Sequence, residues 1–422
     1  MAVKPHAKVM LLLALGWLCT GSLQPAPREV QGSARPELSP PLLLSDPLQS
    51  TGEPKVAVGP GGEIYIVWDG NPPSGCNSNV YFARSLDGGS SFSAPVSLSN
   101  LGCPPNEAAW HPEVAVDAAG TLYVVWVYGG PSDFGIYFVR STDAGGTFTA
   151  PKNISRTAES TGAFVPELAA GAVGEVIAVW LDEYEPYPGQ SEQIFFTRST
   201  DSGDTFSAPV QVSFRWTPEW SASSGPAVST DALAQLYAGW DQGRIGAAPD
   251  VLLVASYDGG QTFSAPVNLS EGLGASGRLR IASETPSRVY AIWQMLRPRS
   301  WETMFRRSLD GGATFSELKR LSRGGHGSSI PQGIAVGRPE QVCAVWEEVN
   351  KGFDIFMRCS FNGGENFRKE FNATGRRGHF EGDIALDAAG SAYLVFGCSL
   401  RGVNPDYWWW GVCFRRSLEP LQ

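Results

Sequence analysis

The sequence predicts an all-β protein, a seven-bladed β-propeller of four-stranded antiparallel blades whose ring is closed by an N-terminal strand. Three observations predict it. A motif of the form S-x-D-x-G-x-[ST]-F starts at Ser85, Ser141, Ser199, Ser256 and Ser308, at intervals of 52 to 58 residues. Its flanks repeat as well, as short β-rich runs with no helical period. The 49 glycines, 31 prolines and 14 tryptophans among 422 residues suit many short strands and tight turns.

Each repeat reads as four strands, a to d. Runs such as residues 114–116 and 122–126 supply a and b, and residues 136–140 supply c. After most motifs comes Ser-Ala-Pro-Val-x-Leu-Ser, as at residues 264–270, which supplies d. The motif itself joins c to d. Its aspartate can accept hydrogen bonds from turn N–H groups. Its glycine, for instance Gly145, permits a backbone shape closed to other residues. Asp87, Asp143, Asp201, Asp258 and Asp310 therefore read as structural, as does Asn362 in a sixth copy.

A seventh copy begins at Ser417 and runs out of chain before its strand d. The missing strand is expected at the front. Ser39-Pro40-Pro41-Leu42-Leu43-Leu44-Ser45 matches Ser93-Ala94-Pro95-Val96-Ser97-Leu98-Ser99. Residues 40–45 are expected to pair with residues 412–416 and cover edges that would otherwise be exposed.

The front of the chain reads as an export signal over residues 1–22. Lys4 and Lys8 precede an apolar run, residues 9–18, too short to span a bilayer as a mature helix. Cys19 could be a lipidated first residue, but the bulky Trp17 and Leu18 before it argue against that. Residues 23–38 read as a flexible leader and 39–422 as one propeller domain. The expected location is secreted, periplasmic or cell-surface, without a transmembrane segment. A net charge of -10 and no Lys/Arg block argue against nucleic acid as a partner. No cofactor and no metal are expected, and the expected state is a monomer.

Six cysteines follow Cys19, an even number compatible with disulfides in an exported chain. Their places in the repeat map suggest Cys76–Cys103, Cys343–Cys359 and Cys398–Cys413. Asn153, Asn268 and Asn372 head N-x-S/T triplets.

Motifs of this kind in four-stranded repeats are Asp-boxes, and the chain resembles the sialidase superfamily of Asp-box (BNR-repeat) propellers over about residues 39–418. The resemblance implies a propeller and a carbohydrate-related activity. Sialidases usually carry six blades, an arginine triad, a Tyr–Glu nucleophile pair and an aspartate acid/base. Their first arginine lies in a Phe-Arg-Ile-Pro-like motif. The matching places here read Gly52-Glu53-Pro54, Trp110-His111-Pro112 and Phe164-Val165-Pro166, none with that arginine. No triad carries over residue by residue.

Strand parity places the variable d–a and b–c loops on one face, where a rigid scaffold presents a site. Carboxylates follow strand b at Asp69, Asp182, Glu183, Asp241, Glu347 and Glu348, and a suitably spaced pair can cleave a glycosidic bond. Trp110, Tyr184, Trp220 and Tyr407 can stack on sugar rings, and Arg244 and Arg297 can bind an anion. His111, His326 and His379 lie in d–a segments and can act as acid/base groups. Recurrent tryptophans on strand b, such as Trp68 and Trp126, and recurrent arginines beside the boxes, such as Arg84 and Arg140, read as structural. The expected function is an exported propeller engaging a glycan or glycoconjugate, with glycoside hydrolysis as its chemistry if catalytic. The alternative is a non-catalytic scaffold that recognises protein or polysaccharide.

Overall fold

The structure is a computed structural model. It describes residues 36–46, 50–72, 77–100, 107–130, 134–155, 160–184, 192–213, 220–244, 246–323, 327–349, 353–375, 378–399 and 410–421. The signal segment, Cys19, the leader to residue 35, and Cys76 and Cys103 lie outside the described residues, as do His326 and Tyr407.

Seven four-stranded antiparallel sheets follow one another along the chain. In blade 1, strand a is Ser50–Val58, b is Ile64–Asn71, c is Asn79–Ser85 and d is Val96–Ser97. Blades 2 to 6 repeat that order, with their a strands at Ala108–Val116, Ser160–Ala170, Trp220–Thr230, Ser276–Glu284 and Ser329–Val336. Blade 7 takes a (His379–Leu386), b (Ala392–Ser399) and c (Trp410–Arg416) from the C-terminal end, and Leu42–Leu43 from the front as d.

The closure has the expected register, with Leu42 opposite Phe414 and Leu43 opposite Cys413. It begins earlier than expected. Leu38 bridges to Ser417, and Leu418 N–H donates to the Glu37 carbonyl, so the last leader residues belong to blade 7. Arg415 reinforces this by donating from Nε to the Ser39 carbonyl at 2.7 Å.

The recurring residues explain the packing. Trp68, Trp126, Trp180, Trp240, Trp293 and Trp346 on the b strands are almost fully buried in the clusters between neighbouring blades. Each c–d turn is knit as its sequence implies. In blade 2, Ser141 Oγ accepts the Gly145 N–H at 2.8 Å and donates to Asp143 Oδ1 at 2.7 Å. Asp143 in turn accepts the Thr147 N–H at 2.8 Å. Hydrogen bonding holds the Asp143 carboxyl well below its usual range, with Ser141 the largest contributor.

In blades 1, 2, 3, 5 and 7 the arginine preceding the turn latches onto the next blade's turn. Arg140 Nη1 donates to the Ser202 carbonyl at 2.6 Å, and Arg416 closes the circle on the Gly88 carbonyl at 2.5 Å. Blade 4 has Ala255 at this place, and there Tyr257 Oη reaches the Gly311 carbonyl instead, at 2.7 Å. Disulfides join Cys343 to Cys359 across strands b and c of blade 6, and Cys398 to Cys413 in blade 7.

Among the described residues no helix is long and apolar enough to cross a membrane.

Candidate functional site

The a strands line the axis of the ring, and each is interrupted by a β-bulge one or two residues long, as at Gly52/Lys55, Trp110/Glu113 and Phe380/Gly382. Four repeats announce it in sequence with a proline: Glu53-Pro54, His111-Pro112, Val165-Pro166 and Gly225-Pro226. Proline removes a ladder donor and favours irregular backbone. The bulge residue takes a left-handed conformation, with φ of 48° at Glu53, 52° at His111, 57° at Arg278 and 41° at Glu381. Non-glycine residues enter this region at a cost, and such strain clusters at functional sites. A bulge re-aims its side chain, and here Glu53, His111, Arg278 and Glu381 all reach the central cavity.

That cavity has a volume of about 800 Å³. It lies on the face of the d–a and b–c loops, since strand-a starts, Glu347 at the end of a b strand and Phe353 in a b–c loop all border it. Its polar wall is built across four blades, 6, 7, 1 and 2. The Glu381 carboxylate accepts the Glu53 N–H at 2.8 Å, and Glu347 accepts the Glu381 N–H at 3.2 Å. Glu53 forms an ion pair with His111 Nδ1. Asp69 joins from strand b: a Cβ on Gly52 would lie 3.2 Å from Asp69 Oδ1 and 3.4 Å from Glu381 Oε2. Phe353, Phe380 and Ile330 add apolar surface to the lining.

Burial governs the proton affinities. It pushes Asp69 up to about 7, with the charge of Glu53 adding to the effect and His111 opposing it. Burial also raises Glu381 and Glu347, against the N–H bonds each accepts. On His111, burial works against the charged form, but the bond to Glu53 overrides it and raises the imidazole above its usual range. A carboxyl of raised proton affinity beside a second carboxyl is the arrangement that proton transfer to a leaving group uses.

Below this wall, two residues further along the a strands, lies a buried charged floor. Lys55 pairs with Glu113, and Arg280 Nη1 lies 3.6 Å from Glu167. Asp383 accepts the Val56 N–H at 3.1 Å. Burial opposes charge on Lys55, yet Glu113 and Glu167 raise its proton affinity. Burial and Glu167 push Glu113 up while Lys55 opposes. Only two bases face three acids in this floor, so its groups are mutually occupied.

The strand-b carboxylates separate into distinct environments. Glu347 borders the cavity and Asp69 stands behind Glu53 and Glu381. Asp241 is sequestered: it accepts the Arg278 N–H at 2.9 Å, and burial raises it to about 7. Asp182 and Glu348 turn away between blades, where they accept the indole N–H of Trp180 and Trp346, both at 3.0 Å. Alternation along the strand puts every second side chain on the tryptophan-bearing face of the sheet, which removes both from the wall. Glu183 is exposed outside it.

Of the other expected contacts among the described residues, only His111 lines the cavity. Trp110 packs edge-on against Phe134. His379 is half-buried, 3.9 Å from Asp354 and edge-on to Phe396. Arg297 lies against Met295 Sδ at 3.9 Å. The side chains of Tyr184, Trp220 and Arg244 lie outside the described residues. Glu53, Glu381 and Arg278, which the strand-b reading passes over, complete the wall. Among the described residues no group of three or more His, Cys, Asp or Glu side chains is arranged to hold a metal ion.

No family model matches the chain, and no curated protein matches it. Solved structures do. A protein of unknown function from Dyadobacter fermentans is similar at a TM-score of 0.53 and 14% identity, over 89% of this chain and 97% of its own. A polysaccharide lyase of a new family, an ulvan lyase, is similar at 0.52 and 15%, over 75% of this chain and 80% of its own. A Hadza microbial sialidase reaches only 0.48 at 15% identity, and the match spans 65% of that protein's length. At these identities the likeness is one of fold.

Proposed function

We propose that this chain is an exported propeller that engages an acidic glycan or glycoconjugate in its central cavity and hydrolyses a glycosidic bond there. The observation that carries the reading is the convergence of Glu53, Glu347 and Glu381 with His111 around one cavity of about 800 Å³, which Phe353 and Phe380 also line. A cavity of that size suits one or two sugar units. Glu381, raised by burial, serves as the proton donor. Glu53, paired with His111, is the base or nucleophile, and Asp69 and Glu347 tune the pair. Arg278 favours an acidic sugar: its side chain is exposed at the cavity and forms no ion pair among the described residues. One protein of similar fold is a polysaccharide lyase.

The test is a screen of sialosides, uronic-acid glycosides and neutral glycosides with the full chain and with Glu381→Gln, Glu53→Gln, Asp69→Asn and Glu347→Gln. Turnover of an acidic glycoside that Glu381→Gln and Glu53→Gln abolish supports the reading. Turnover untouched by all four substitutions removes the assignment.

A further inference from the structure

We infer that Phe353 is the platform on which the ligand's sugar ring lies, so that the cavity selects pyranosides with an uninterrupted C–H face. The inference rests on the glycan reading above and adds which part of the ligand is recognised.

Phe353 borders the same cavity as the carboxylates and exposes 43% of its surface, while most large apolar side chains of the b and c strands are buried. Its backbone is left-handed, with φ of 58°. An aromatic residue is rarely found in this region, and one that also leaves its ring in solvent gains little from packing to offset the cost. The conformation is fixed from outside the side chain: the Phe353 carbonyl accepts the His379 N–H at 2.7 Å, tying the b–c loop of blade 6 to the first residue of blade 7. The neighbouring Phe380 is backed by the chain, since a Cβ on Gly397 would meet its ring at 2.7 Å. One half-buried ring thus supports the wall and one exposed ring offers a face.

The chemistry of the polar wall sets what that face can receive. Glu53, Glu347 and Glu381 take hydroxyl groups and the glycosidic oxygen, and the exposed Arg278 takes an anionic substituent. A pyranoside with equatorial hydroxyls presents polar groups at its edge and axial C–H groups on its faces. Laid on Phe353, it puts its polar edge towards the carboxylates and its apolar face on the aromatic ring. An acyclic polyol acid of the same charge has the anion and the hydroxyls but no such face.

The experiment compares the full chain with Phe353→Ala, Phe353→Leu and Phe353→Trp, using methyl β-D-glucuronoside as the cyclic probe and gluconate as the acyclic one. Binding is measured by calorimetry and by saturation-transfer NMR, and a thermal melt checks the fold of each variant. The expected result is that Phe353→Ala weakens the glucuronoside by about tenfold, Phe353→Leu nearly as much, and Phe353→Trp retains it. The axial protons of one ring face should receive the strongest saturation in the parent and lose that preference in Phe353→Leu. Parent binding that Phe353→Ala and Phe353→Leu leave unchanged, or gluconate bound as tightly as the glucuronoside, overturns the platform and leaves the site itself standing. A parent chain that binds neither probe, nor any glycan of the wider screen, overturns the glycan reading and the platform with it.

Discussion

The Glu381 carboxylate of blade 7 accepts the Glu53 backbone N–H of blade 1 at 2.8 Å. A titratable group of the last blade thereby holds the strained bulge of the first, directly beside the His111–Glu53 ion pair. Glutamine at position 381 keeps a carbonyl oxygen for the same N–H but has no proton to give. Glu381→Gln is therefore expected to fold as the parent does and to lower turnover by about a hundredfold or more. Initial rates on the glycoside identified in the screen, with a thermal melt as control, check this.

The buried carboxyls make stability fall as the solution becomes more alkaline. Asp69 and Asp241 are raised by burial to about 7, far above the ordinary aspartate value. Between those two values the folded chain holds protons that the unfolded chain has released, so unfolding becomes easier with rising pH. The stabilisation is complete below the ordinary aspartate range and is lost as pH passes through about 7. A melting temperature that drops from pH 5 to pH 8, with a shallower drop in Asp69→Asn, is the expected outcome. Melts across that range measure it.

Tyr257 takes the place of an arginine latch between blades 4 and 5, through its 2.7 Å bond to the Gly311 carbonyl. Tyr257→Phe removes the bond and leaves the ring, and is expected to cost about 1 kcal/mol. Urea denaturation with an unchanged slope and a lower midpoint would show it.

Among the described residues, two disulfides sit in adjacent blades, 6 and 7. Removing the Cys398–Cys413 bridge by paired serine substitution is expected to cost about 2–4 kcal/mol, because the bridge ties strand b to the strand that receives the N-terminal segment. Peptide mapping without reduction should recover Cys343 with Cys359 and Cys398 with Cys413.

The ring was readable because its devices repeat. A serine, an aspartate and a glycine at fixed spacing make one turn wherever they occur, and a tryptophan on each of six b strands fills one kind of inter-blade gap. The closure was readable because residues 39–45 copy strand d of another blade. The cavity wall was less readable. Looking along strand b finds Asp69 and Glu347 but also Asp182 and Glu348, which period-two alternation turns towards Trp180 and Trp346. The wall itself comes from bulges in strand a, where alternation breaks and the sequence pattern ceases to say which way a side chain points. The one local signal is the proline after Glu53, His111, Val165 and Gly225. Blades 5 and 7 lack that proline, so Arg278 and Glu381 carry no mark in the sequence and become visible only once the blades close on the axis.

The central claim is that ligand binds at the strand-a bulges on the axis of the ring. Hydrogen–deuterium exchange of the full chain with and without a saturating acidic oligosaccharide from the screen tests it most directly. Slower exchange at residues 52–55, 110–113, 277–280 and 380–383 is the expected result. Slower exchange confined to the outer c and d strands or to the opposite face, with those four segments unchanged, would contradict it.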